Sequence, residues 1–146
     1  RSIIMLLVQI ITSFLASSGF GILFNAPRNA LIQCGLIGTS GWLAYTYFTN
    51  NGFDIVPATI FAAMLVALLS QICSKIFKKP VTVFTVSGII PLVPGGVAYN
   101  AMRHFVENDY HTAIQLSAQV MLIAGGIAIG LMFSEVIHQL MKKVKR

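Results

Sequence analysis

From Ile3 to Phe24 the chain runs without a single charged side chain, and comparable apolar runs fill most of the remaining sequence. About 20 such residues in a helix cross the roughly 30 Å hydrocarbon core of a bilayer. Only 10% of the 146 residues are charged and 56% are hydrophobic, whereas a soluble domain carries about 25% charged residues. Too few charges remain to coat a body of this size in water, so the surrounding solvent is lipid. In lipid every backbone N–H and C=O must be satisfied within the chain, which leaves helices or a closed barrel. Runs this long are helical.

Five spans are expected, in an all-α polytopic membrane protein that forms a single transmembrane domain over residues 1–146. The first covers Ile3 to Phe24 and stops at Asn25-Ala26-Pro27-Arg28. Its apolar run is longer than the 7–15 residues of a signal-peptide core, so it reads as a span. The second covers about Asn29 to Phe48 and stops at Asn50-Asn51-Gly52. The third begins at Asp54, a favourable N-cap, tolerates Pro57 in its first turn, and ends before Lys78-Lys79-Pro80. The fourth covers Val81 to about Met102, and the fifth runs from just after Asp109 to about Met141.

Basic residues cluster in the breaks. With five spans, Arg28, Lys75, Lys78, Lys79, Lys142, Lys143, Lys145 and Arg146 share one side, and Arg1 and Arg103 the other. Eight against two places the first side in the cytoplasm, with the N-terminus outside and the C-terminus inside. Tyr45, Tyr47 and Phe48 then sit at the outer end of the second span, where an aromatic belt belongs. Such scattered charges do not form the continuous basic face that nucleic acid requires. Cys34 and Cys73 lie inside apolar runs and read as small packing residues.

The fourth span carries the most unusual signal, Pro91-x-x-Pro94-Gly95-Gly96, eleven residues past Pro80. At about 1.5 Å per residue this is roughly 16 Å deep, near the middle of the membrane. Each proline removes a helical hydrogen bond and pushes the residue before it out of the helical region. Ile90 and Val93 are therefore expected to leave the helix, with a second half-helix starting at Pro94 or Gly95. Freed backbone at this depth must be buried in protein or line a wet cavity. The N-terminal amides of the second half-helix suit a carboxylate, and broken midplane helices are how many secondary transporters build substrate sites. Pro91, Pro94, Gly95 and Gly96 are the expected substrate-binding residues, with Tyr99 and Asn100 a turn further on. A packing kink is the plainer alternative.

Other features are weaker. Gln9, Ser13, Ser17, Gly21 and Asn25 repeat at four-residue spacing, and Gly35, Gly38, Gly41, Gly126 and Gly130 recur in later spans. Small residues at such spacing let helices approach closely, and the stripe of the first span is alternatively a polar wall of a substrate path. Asn25 and Arg28 mark a tight cytoplasmic corner, where Arg28 either anchors topology or meets an anionic substrate. Glu135 and His138 are an ionisable pair one turn apart near the inner end of the last span, candidates for proton coupling or for pairing with a lysine. There is no nucleophile–base set, no P-loop and no cluster of metal ligands, so neither an enzyme nor a cofactor or metal site is expected.

Two stretches resemble the threonine/serine exporter family, in its small five-helix subunit, equivalent to the C-terminal half of fused members. They are Gly19-Phe20-Gly21-Ile22-Leu23-Phe24-Asn25-Ala26-Pro27-Arg28-Asn29-Ala30-Leu31 and Ile89-Ile90-Pro91-Leu92-Val93-Pro94-Gly95-Gly96-Val97-Ala98-Tyr99. The resemblance implies export of small carboxylate-bearing metabolites, threonine- or serine-like amino acids or dicarboxylates. It also implies a separate, larger membrane subunit, since five spans barely enclose a path. A homo-oligomer is the other way to complete one. The rival class is a non-transporting scaffold or assembly subunit whose glycine seams only dock helices.

The charge count sets a topology that labelling checks. With the native cysteines replaced, Asn51→Cys is expected to react with an impermeant thiol reagent on intact cells, and Lys145→Cys is not. Outside labelling of position 145 reverses the orientation.

Overall fold

The computed structural model describes residues 2–144; Arg1, Lys145 and Arg146 of the charge count lie outside them. Most of the described residues are helical, and none of them forms a strand. Helix α1 spans Ser2–Leu23, α2 Leu31–Asn50, α3 Ile55–Phe77, α4 Val81–Gly88, α5 Gly95–Val106 and α6 Tyr110–Val144. Single 3-10 turns occupy Arg28–Ala30, before α2, and Ile90–Leu92, between α4 and α5. The protein is a multi-pass membrane protein.

Three helices, α1, α3 and α6, are long and apolar enough to span a membrane alone, and α4 with α5 makes a fourth span bent by 52°. Helix α2 has the length, 20 residues, but dilutes its apolar side chains with Gly35, Gly38, Thr39, Ser40 and Gly41. It is also the central helix, packed on α1, α3 and α4. A helix covered by protein does not have to be apolar all round, and counting it gives the expected figure of about five. Helix α6, at 35 residues, is roughly 52 Å long and outreaches the hydrocarbon core.

Each corner is closed by a left-handed residue that turns the chain out of its helix. Asn25 (φ 60°), Gly52 (φ 92°), Lys78 (φ 55°) and Asn108 (φ 64°) fill these positions. At the end of α1 the Ala26 N–H donates to the Gly21 carbonyl at 2.8 Å and the Asn25 N–H to that of Ile22 at 3.1 Å. This is the Schellman pattern, which satisfies carbonyls a helix end would otherwise expose. Asn108 ends α5 the same way, with Asp109 N–H to His104 O at 2.9 Å. Asp54 occupies the N-cap of α3 but makes no side-chain cap bond, whereas the Asp109 carboxylate accepts from the Thr112 N–H at 3.4 Å.

Lipid offers no hydrophobic drive for helix association, so packing relies on close backbone approach. A Cβ on Gly38 would collide with Ser17 Oγ and lie 2.6 Å from Ser17 Cβ, and one on Gly35 would lie 2.6 Å from Phe14 and Ser18. Gly41 meets Val66 at 2.5 Å, and Gly130 the backbone oxygen of Ile60 at 2.6 Å. These glycines weld α1 to α2, α2 to α3 and α3 to α6. Ser13, Ser17 and Gly21 of the four-residue stripe are buried against α2 and the α4 region. The core they enclose contains Cys34, Ile37, Val66 and Phe84.

The weld is testable by contrast. Gly38→Ala is expected to cost about 1–3 kcal/mol, because overpacking forces backbone shifts. Gly125→Ala, whose Cβ meets nothing within 4 Å, is expected to be neutral or slightly stabilising, as alanine is the better helix former. Thermal unfolding in detergent compares the two, and equal melting temperatures would dismiss the seam.

Candidate functional site at the broken span

Helix α4 ends at Gly88, packed so tightly that a Cβ there would sit 2.8 Å from both Ile37 and Val66. Ile90–Leu92 then make one 3-10 turn, in which the Leu92 N–H donates to Ile89 O at 2.9 Å and the Val93 N–H to Ile89 O and Ile90 O, both at 3.2 Å. Ile90 thus stays helical in the tighter form, against the sequence expectation. Pro91 occupies an early position of that turn, where a missing N–H costs nothing. Val93 does leave the helix, extended at φ −62° and ψ 133°, as the residue before a proline must.

Pro94 (φ −80°, ψ 55°) is the centre of an inverse γ-turn, with the Gly95 N–H donating to Val93 O at 2.8 Å. This matters for the site. The Gly95 amide is spent, and the Ala98 N–H already reaches Pro94 O at 3.0 Å. Among the described residues, the amides of Gly96 and Val97 are the two at this helix start without a backbone acceptor. They carry the positive end of α5. Gly95 and Gly96 have open space around them, and a Cβ on either meets nothing within 4 Å.

A cavity of about 230 Å³ lies against the break, between α2, α3 and α6. Pro91, Leu92, Val93, Pro94, Gly96 and Val97 form one side, and Trp42, Tyr45, Thr59 and Ile123 the other. Trp42 stacks on Tyr45 with ring centroids 5.3 Å apart. The indole Nε1–H of Trp42 donates to Gln9 Oε1 at 3.3 Å. A neighbouring cavity of about 240 Å³ lies on the α1 side, lined by Gln9, Thr12, Ser13, Ala16, Trp42 and Pro91. Trp42 and Pro91 are thus the shared wall between two spaces.

The expected site residues fall in three places. Pro91, Pro94 and Gly96 line the cavity at the break, and Gly95 contributes its turn. Tyr99 is 68% exposed and Asn100 is also exposed, so both point away from it. Asn25 and Arg28 sit at the lysine-rich end, where Asn25 serves as the left-handed cap of α1. Glu135 and His138 line a separate cavity at that same end. The structure adds Trp42, which the motifs do not single out. The sequence does contain a signal for it: Trp42 is the only tryptophan and stands mid-span, whereas tryptophan favours the interfaces and seeks a hydrogen-bond acceptor when buried.

Residues 9–137 match the family model described as Threonine/Serine exporter, ThrE. The chain belongs to the threonine/serine exporter family. That family is one of transporters. Within it, an uncharacterised protein of Haemophilus influenzae is 31% identical over 134 residues, which is 86% of this chain and 45% of that protein. The exporter-family chain therefore spans under half the length of this relative. No solved structure matches it. The broken span and its cavity lie inside the matched region, as do all the residues lining them.

Trp42 also provides a probe of whether the break in this exporter-family chain is wet. Its fluorescence is expected to be quenched by acrylamide, and Gly96→Leu, which extends into the cavity, is expected to reduce that quenching. Fluorescence as shielded as that of a lipid-buried indole would mean a dry break.

Proposed function

We propose that the chain is a membrane subunit of a secondary exporter for small carboxylate-bearing metabolites, threonine- and serine-like amino acids first among them. One observation carries the reading: two uncommitted amides, those of Gly96 and Val97, start a half-helix beside a cavity at the middle of a span. A carboxylate there accepts two hydrogen bonds and meets a positive helix end. The bare glycine surface lets a ligand reach the backbone. The docking position is thus shifted by one residue from Gly95-Gly96 to Gly96-Val97.

Two further observations support a second, larger subunit. The chain covers 45% of a relative, which leaves room for another half. Helix α5 also exposes Gly95, Tyr99, Asn100 and Arg103, a poor face to offer lipid and a suitable one for protein or water. In this reading the lysine-rich end is cytoplasmic, and Arg28 stands at the inner mouth. Dicarboxylates share the carboxylate chemistry and are the natural competitors to test.

Gly96→Val tests the site with little structural side effect, because the added side chain meets no protein atom within 4 Å of its Cβ. Export of labelled threonine, with the larger subunit co-expressed, is expected to fall at least about tenfold, the loss of roughly one charge-assisted contact. Membrane insertion and melting temperature are expected to hold. Normal export by Gly96→Val would reduce the break to a packing kink.

A further inference from the structure

The chain has four acidic residues, and three of them, Asp54, Glu107 and Asp109, stand at the end opposite the lysines. The fourth, Glu135, sits alone among the bases. It lines a cavity of about 230 Å³ together with Gln71, Ser74, Lys75, Val81 and His138, between the ends of α3 and α6 and the start of α4. Among the described residues the one ion pair is Arg103 with Glu107, at 3.1 Å on the opposite end. Glu135 and Lys75 therefore face one space without closing on each other. Glu135 accepts only a long bond, 3.4 Å, from Gln139 Nε2. The Ser74 hydroxyl is already committed to the Lys79 carbonyl.

An exposed carboxylate and an exposed ammonium that line one cavity without pairing form the complement of a zwitterion. The geometry points to an entry site for α-amino acids at the lysine-rich end, in which Glu135 receives the substrate ammonium and Lys75 its carboxylate. The cavity, about 230 Å³, is large enough to admit a small amino acid. Gln71 and His138 have donors and acceptors to offer a side-chain hydroxyl. This rests on the exporter reading for its substrate class, but it names a different place. From Thr59 to Gln71 along α3, and from Ile123 to Glu135 along α6, the two cavities are twelve residues apart, or roughly 18 Å. Val66 and Phe84, both fully buried, lie between. One amino acid cannot touch both sites, so the mouth reads the whole zwitterion and the break reads the carboxylate.

The test is equilibrium binding and transport of labelled L-threonine in inverted membrane vesicles holding the chain with its larger subunit. On the wild type, L-threonine methyl ester, which lacks the carboxylate, and 2,3-dihydroxybutyrate, which lacks the ammonium, are each expected to compete about tenfold less well than threonine. Equal competition by either overturns the site and requires no variant. Glu135→Gln is expected to raise the half-saturating threonine concentration about tenfold while leaving that of 2,3-dihydroxybutyrate unchanged, and Lys75→Gln to raise both. Values within twofold of wild type in both variants, or equal losses for both ligands in Glu135→Gln, also overturn it. Vesicles that bind threonine with this selectivity but move none would instead count against the exporter reading alone.

Discussion

Every unpaired backbone group in a bilayer must find its partner inside the protein, and this fold is organised around the one place where a span cannot do so by itself. Pro91 and Pro94 take two donors out of the fourth span. The chain answers with a 3-10 turn, in which Ile89 and Ile90 carbonyls accept from Leu92 and Val93, and with a γ-turn that consumes the Gly95 N–H. What is left over is two amides at the start of α5. They are tolerable there because the break does not lie against lipid on all sides: α2, α3 and α6 wall a cavity beside it.

That wall exists because the helices around it approach closely elsewhere. Gly35, Gly38, Gly41 and Gly130 remove side chains at the crossing points, so packing forces hold the bundle without hydrophobic drive. Several hydroxyls in the spans bond to the carbonyl four residues back, as Thr39, Thr46, Thr59 and Ser70 do. Ser17, Ser87 and Ser134 are the buried exceptions, with no partner. Ser17 and Ser87 pack on the glycines of the seams. A buried hydroxyl without a partner costs about 1–3 kcal/mol. Ser87 adjoins Gly88, which packs on Val66 in the buried layer that also contains Phe84. This layer separates the two cavities.

Charge is arranged along the same axis. Most of the bases gather at one end, and Arg103 stands with three of the four acids at the other. Glu135 breaks that segregation, and it does so inside a cavity shared with Lys75. The broken span presents backbone amides, while the lysine-rich end presents exposed charged side chains.

The apolar runs were enough to determine that the chain is helical and spans a membrane about five times, because bilayer thickness and backbone hydrogen bonding permit little else. The break at Pro91–Gly96 was equally legible, since a proline's missing N–H is a covalent fact. The stripe Ser13, Ser17, Gly21 announced close packing by its spacing. Which groups were left over at the break was decided only in three dimensions. The γ-turn at Pro94 took the Gly95 amide and left those of Gly96 and Val97. Trp42 was brought to Pro91 by the packing of α2 on the 3-10 turn, and to its acceptor Gln9 by that of α2 on α1. Tyr99 and Asn100 were turned outward by the rotation of α5, and Asn25 was absorbed as a helix cap. Glu135 and Lys75 came to line one cavity because α3 and α6 pack side by side in the same direction. Local chemistry is written residue by residue, but the pairing of residues from different spans depends on helix rotation and register, which packing alone selects.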